Sequence, residues 1–114
     1  MSYIYLASPY SHPEENVRLA RYNAACRKAA SLMQAGHVVF SPIAHSHAVA
    51  SHLPQDLLMS HEFWMAQDIP LLRYADKLVV LLIDGWRESR GVSAEIDYAI
   101  NISKAIEYVT DGEP

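Results

Sequence analysis

The chain has 114 residues, of which 51% are hydrophobic and 19% charged, and it carries a net charge of −4. Scaling folded and unfolded areas with mass leaves about two-thirds of the surface to be buried, enough for one compact domain and too little for two. The composition excludes a disordered chain. An isoelectric point near 5.8 argues against a nucleic-acid binder, which would present a basic face.

The longest apolar run, Leu78 to Ile83, has six residues; a membrane span needs about 20. The start, Met1 to Leu6, lacks a basic segment and does not read as a signal peptide. Cys26 is the sole cysteine, so no intrachain disulfide is expected and a reducing cytoplasm is the expected setting.

Tyr3-Ile-Tyr-Leu-Ala-Ser8 reads as a buried strand ahead of Pro9. Pro13 is expected to open a long helix at its first turn, with Leu19, Tyr22, Cys26, Ala29, Ala30 and Met33 on one stripe and Gly36 just past its end. Cys26 lies on that stripe and reads as core rather than as a reactive thiol. His37 to Ser41 is a second strand, and Pro42 to Pro54 reads as a loop rich in His and Ser. A second helix is expected over 55–74, kinked or split at Pro70. Lys77 to Ile83 is a third strand, apolar on both faces as in a covered parallel sheet. Asp84 to Gly91 is a loop, Val92 to Ser103 a third helix and Ala105 to Val109 a last strand.

Strands alternating with helices imply right-handed parallel crossovers. The expected fold is α/β: a small doubly wound, flavodoxin-like or Rossmann-like parallel sheet of four to five strands, order 2-1-3-4, with helices on both faces. Residues 1–109 form one domain and 110–114 a polar tail. Ligands of such sheets bind beyond the carboxyl ends of the strands, at the switch between the first and third.

Two carboxylates fall where apolar residues belong. At about 100° per residue, Val92, Ile96, Ala99, Ile100 and Ile102 form an apolar arc that contains Glu95, while Asp97 and Asn101 face the other way. In the preceding helix, Leu57, Trp64, Leu71 and Ala75 form a stripe with Asp68 near its centre and His61 beside it; Glu62 and Arg73 lie opposite. A buried carboxylate costs several kcal/mol unless it is paired or protonated. A core ion pair would satisfy one such group; two of them, flanking the third strand, point to chemistry.

Three loops should gather at the ligand edge: Ser8 to His12, Ser41 to His47, and Asp84 to Gly91. Candidate binding residues on them are Ser8, Pro9, one or both of His45 and His47, Asp84, Gly85, Trp86, Ser89 and Gly91. Ser89 and Gly91 sit at a helix start, where free N–H groups attract anions, though Ser89 also fits a plain N-cap. Arg87 and Arg90 add positive charge. Trp64 reads as core packing, and Trp86 as a cover for a base. His45, His47 and His61 show no recognised metal spacing, so no metal is expected. A Ser-His-Asp triad lacks its G-x-S-x-G elbow.

The segment Tyr3-Ile-Tyr-Leu-Ala-Ser-Pro9, the run from Asp68 to Asp76, and Asp84-Gly…Ser89-x-Gly91-x-x-x-Glu95-x-x-x-Ala99 resemble the nucleoside 2-deoxyribosyltransferase superfamily. That superfamily includes the 2′-deoxynucleoside 5′-monophosphate N-glycosidases. The resemblance covers nearly the whole chain and is nearest to a short bacterial and phage branch. It implies that Glu95 is the nucleophile on the anomeric carbon, that Asp68 assists at the base or sugar, and that Tyr5 hydrogen-bonds the Glu95 carboxylate. Ser89 and Gly91 would hold a 5′-phosphate, and Pro9 stands in place of a small polar phosphate-contacting residue.

The implied reaction is cleavage of the N-glycosidic bond of a (deoxy)nucleoside 5′-monophosphate through a glycosyl-glutamate, with no metal or organic cofactor. The alternatives are base exchange by a transferase and a nucleotide-binding module without turnover. The expected partners are a small nucleotide or nucleoside and a second copy of the chain, with no nucleic acid and no membrane.

Overall fold

A computed structural model describes residues 2–112. In chain order the elements are β1 (Ile4–Ala7), α1 (Glu15–Gln34), β2 (Val39–Phe40), α2 (Pro42–Ala50), α3 (Gln55–Leu58), α4 (His61–Tyr74), β3 (Lys77–Leu81), α5 (Arg90–Asn101) and β4 (Ala105–Val109). The four strands form one sheet in the order β2-β1-β3-β4 with every pair parallel, as expected from the alternation of elements. Tyr5 stands between Phe40 and Leu78 in register.

Period-two alternation divides the core between the two faces of the sheet. Ile4, Leu6, Val79 and Leu81 pack with Ala24 and Ala29 of α1. Tyr5, Ala7, Leu78 and Val80 pack with Leu72 and Ala75 at the end of α4 and with Val92 and Ala99 of α5. The two central strands are therefore covered on both faces, while β2 and β4 lie at the edges and are partly exposed.

Several elements depart from the sequence expectation. Residues 42–54 are not a loop, because α2 occupies most of them. The Ser41 hydroxyl accepts from the Ala44 N–H at 3.1 Å and Pro42 fills the first helical position, which together nucleate the helix. The long helix of residues 55–74 is two elements, broken before Ser60, whose hydroxyl caps α4 by accepting from the Phe63 N–H at 3.1 Å. Pro70, by contrast, neither splits nor ends α4. It and Ala66 are both exposed, so the carbonyl left without its N–H partner can turn to water.

Pro13 lies outside α1, which starts at Glu15 with Glu14 as N-cap. Its buried residues are Ala24, Ala25, Lys28 and Ala29, of which Ala24 and Ala29 pack on the sheet. Of the expected stripe only Ala29 is buried; Ala30 is exposed, Leu19 is 47% and Met33 53% exposed, and Tyr22 and Cys26 are half-buried. Small residues face the sheet there because they let the helix axis come close. The helix ends as expected at Gly36, φ 100°, with the Gly36 N–H donating to the Met33 carbonyl and the His37 N–H to the Leu32 carbonyl.

On α4, Leu71 of the expected stripe is exposed, Leu57 belongs to α3, and the buried members are Asp68 and Leu72. The helix starts two residues earlier than expected at α5, where Ile100 (61% exposed) and Ile102 drop out of the apolar arc. Two strands are also shorter than expected: β2 spans two residues and β3 ends at Leu81. In the tail after β4, Asp111 pairs with Arg27 at 3.0 Å; Met1, Glu113 and Pro114 lie outside the described residues. Among the described residues no helix is long and apolar enough to cross a membrane.

Candidate active site

Tyr5 comes from a central strand and is fully buried on the α4–α5 face of the sheet. Glu95 lies in the second turn of α5, between Val92 and Ala99 on the same face, and is 4% exposed. Helical spacing puts the three side chains on one stripe, so burying Val92 and Ala99 against the sheet drives the carboxyl inward. There the Tyr5 hydroxyl donates to Glu95 Oε2. No arginine or lysine pairs with Glu95 among the described residues. Asp68, one turn before the fully buried Leu72, is also buried.

Burial pushes the Glu95 carboxyl up to about 8, with the Asp68 charge adding to the rise. The Tyr5 hydrogen bond favours the ionised form and opposes it, but does not cancel it. Burial raises Asp68 to about 6. Burial and then the Glu95 charge push the Tyr5 hydroxyl far above its ordinary range, so it stays a donor. Between about pH 6 and 8 the two carboxyls hold one proton between them, resting mainly on Glu95, while Asp68 is ionised. Such a pair can present a nucleophile and an acid at once.

Asp68 lines a cleft of about 170 Å³ between α2 and α4, walled by Phe40, His45, Phe63, Trp64, Gln67 and Leu71 among others. Phe40 in turn packs on Tyr5, ring centroids 5.8 Å apart. A shallow cavity of about 260 Å³ lies on the loop between β3 and α5, lined by Leu82 to Glu88 alone. Neither carboxyl is in its wall, so the smaller cleft is the one next to the chemistry.

The remaining candidates divide. Ser8 and Pro9 are buried at the end of β1, and the Ser8 hydroxyl has no hydrogen-bond partner. His45 reaches the cleft, 5.7 Å from the Phe40 ring. His47 does not line it: its ring stacks on Tyr22 at 3.9 Å and its Nδ1 meets the Tyr10 hydroxyl at 2.9 Å, tying α2 to α1 and the β1–α1 loop. Ser89 caps α5 by accepting from the Val92 N–H at 3.2 Å. Gly91 follows at the helix start with its φ outside the left-handed region, and a Cβ there would meet only Met65 and Ser89 atoms at 3.9 Å. Nothing in the chain demands glycine at that position. Asp84 is exposed, Gly85 forms a turn, and Trp86 is half-buried against the core and 5.9 Å from Tyr108.

The cleft residues Phe40 and Gln67 escaped the sequence reading, and Trp64 entered it only as core. Trp64 does anchor locally, its Nε1–H donating to the Leu58 carbonyl at 2.9 Å, yet one side of it lines the cleft. A half-buried aromatic beside a buried carboxylate was the available signal. Among the described residues no group of three His, Cys, Asp or Glu side chains could hold a metal.

The class is that of a small α/β domain with a doubly wound parallel sheet, in which two carboxyls, Glu95 and Asp68, are buried. The model of the family described as a domain of unknown function (DUF1937) matches residues 2–110, and the chain belongs to that family. No curated protein matches it.

Proposed function

We propose that this domain cleaves the N-glycosidic bond of a (deoxy)nucleoside 5′-monophosphate and releases the free base. The observation that carries this is the Tyr5–Glu95 hydrogen bond: a carboxylate brought out of water, given one phenolic donor and no counter-ion among the described residues. A structural carboxylate would be paired with a cation. A nucleophile needs one oxygen left free and an ionised form kept within reach of neutral pH. The resemblance to the deoxyribosyltransferase superfamily supports the same assignment.

The reactive form is the minor one in which the single proton of the pair sits on Asp68 rather than on Glu95. In the first step an ionised Glu95 oxygen attacks the anomeric carbon while the bond to the base nitrogen breaks and its electron pair leaves with the base. Protonated Asp68, in the wall of the cleft, gives its proton to the departing base. The product is a glycosyl ester of Glu95. In the second step Asp68, now ionised, takes a proton from water, and the oxygen displaces Glu95 from the anomeric carbon. The net change is nucleotide plus water to base plus sugar phosphate.

The aromatic walls of the cleft suit a planar base, and the bare start of α5 at Gly91 suits the phosphate. A free, half-buried Cys26 supports a reducing, cytoplasmic setting. Exposed Met59, Tyr74 and Ile100 support self-association, which sedimentation at micromolar concentration tests.

Incubation with a panel of nucleoside 5′-monophosphates and nucleosides, followed by chromatography, should show free base that vanishes in Glu95→Gln. Adding a second base as acceptor distinguishes hydrolysis from transfer. Binding without base release from any member would leave a nucleotide-binding module and overturn the catalytic assignment.

A further inference from the structure

Arg87 of the β3–α5 loop and Arg90, the first residue of α5, each have a neighbour of their own. The Arg87 guanidinium lies 5.2 Å from the Trp86 ring centroid, and Arg90 Nη2 stands 3.9 Å from Glu62 Oε1 on α4. A third arginine arrives from elsewhere. Arg21, in the second turn of α1, donates from Nη1 to the Ser11 carbonyl at 2.8 Å, in the β1–α1 loop. Its other edge lies against Gly85 in the β3–α5 loop, where a Cβ would overlap Nη2 and stand 3.1 Å from Cζ.

Gly85 has φ 92°, and the Trp86 N–H donates to the Ile83 carbonyl at 3.1 Å. Residues 83–86 thus make a tight turn whose third position needs glycine, and the same missing side chain makes room for the guanidinium. One cation therefore spans the loops that leave β1 and β3, the crevice where ligands of doubly wound sheets sit.

A guanidinium carries five N–H donors. The Ser11 carbonyl takes one, and no carboxylate pairs with Arg21 among the described residues. Arg21 is half-buried as a residue, while its hydrogen bond to Ser11 is exposed, so the guanidinium is open to a ligand from solvent. The Ser8 hydroxyl, at the start of the same β1–α1 loop, is buried with no partner of its own. A planar fork of unused donors held on the same loop that carries an unsatisfied hydroxyl matches the tetrahedral oxygens of a phosphoryl group.

We propose that Arg21 is the cation that recognises the anionic group of the ligand and sets the preference for a phosphorylated over a neutral one. This rests on the nucleotide ligand of the proposed function, and not on turnover. Gly85 belongs to the same device, because any side chain there pushes the guanidinium out of the crevice.

The test is calorimetric titration of the Glu95→Gln chain with nucleoside 5′-monophosphates and the matching nucleosides. Adding Arg21→Gln should weaken the monophosphate about 10- to 100-fold, the size of a lost charge-assisted contact, and change the nucleoside less than about threefold. Gly85→Ala keeps the charge in the chain but displaces it, so it should shift selectivity the same way. The double variant should lose no more than Arg21→Gln alone. Gly85→Ala carries the test by itself if Arg21→Gln does not fold. Equal losses for both ligands, or an unchanged monophosphate affinity, would make Arg21 a strap between loops and overturn the proposal. Selectivity that depends on Arg21 in a chain releasing no base would overturn the glycosidase assignment and leave Arg21 in its role.

Discussion

Tyr5 and Glu95, 90 positions apart in the chain, are joined by a hydrogen bond in which the phenol donates to a carboxylate buried beneath α5. The phenol's own ionisation is suppressed by burial and by the neighbouring negative charge, so the donor never becomes a competitor for the proton. The bond thus favours ionised Glu95 at every pH at which the domain is folded.

The pair of carboxyls predicts a bell-shaped pH dependence of kcat/KM. Catalysis needs Glu95 ionised and Asp68 protonated, which is the minor arrangement of the one proton that the pair holds between about pH 6 and 8, because Glu95 has the higher value and Asp68 the lower. The rate should fall on either side of that window. Asp68→Asn should lower the maximum about 100-fold or more. It should also turn the bell into a single rising limb, set by a Glu95 that ionises below pH 8 because the like charge is gone. A flat profile across the window contradicts the assignment.

Glu95→Gln should abolish base release, preserve ligand binding and change how stability depends on pH. The folded chain holds the Glu95 proton up to about 8, whereas the unfolded chain releases it near its model value of 4.5. Unfolding therefore releases a proton between those values, and stability falls as pH rises through them. The neutral amide removes this loss. Melting temperatures of the two proteins should diverge toward pH 8, with the variant higher by an amount worth several kcal/mol at most. Only the Asp68 contribution, between 3.8 and about 6, should remain in the variant.

For Tyr5→Phe the carboxylate survives but loses its donor. Glu95 should ionise at higher pH, because the hydrogen bond that lowers its pKa is gone. Turnover at neutral pH should drop about 10- to 100-fold, and stability by about 1–3 kcal/mol, the cost of a buried group left unsatisfied. Rate profiles that show the same limbs as the parent would place Tyr5 outside the site.

Gly91→Ala separates stability from binding. Alanine is a better helix former than glycine by about 1 kcal/mol, and its Cβ meets only ordinary contacts at 3.9 Å. The variant should melt at the same temperature or higher, yet bind a nucleoside 5′-monophosphate more weakly because the methyl group obstructs the start of α5. Unchanged binding would remove that helix end from the ligand.

The four strands, their parallel order and the inward aim of Glu95 and Asp68 were legible in the sequence, because each depends on short-range periodicity: unbroken apolar runs for the central strands, helical spacing for the two carboxylates. Local composition misled at residues 42–54, where His and Ser suggested a loop although Ser41 and Pro42 form a helix-starting pair. It misled again on α1, where close approach to the sheet selects Ala24 and Ala29 over the larger Leu19 and Met33. Periodicity says which face a side chain takes, and not what waits there. That a phenol from β1 meets Glu95 was expected from the resemblance and is found, but periodicity alone does not show it. That Arg21 crosses from α1 to the turn at Gly85, and that the carboxyls are raised to about 6 and 8, depend on distances between remote segments and on the water excluded between them. Those quantities exist only once the sheet has brought its two helical layers together.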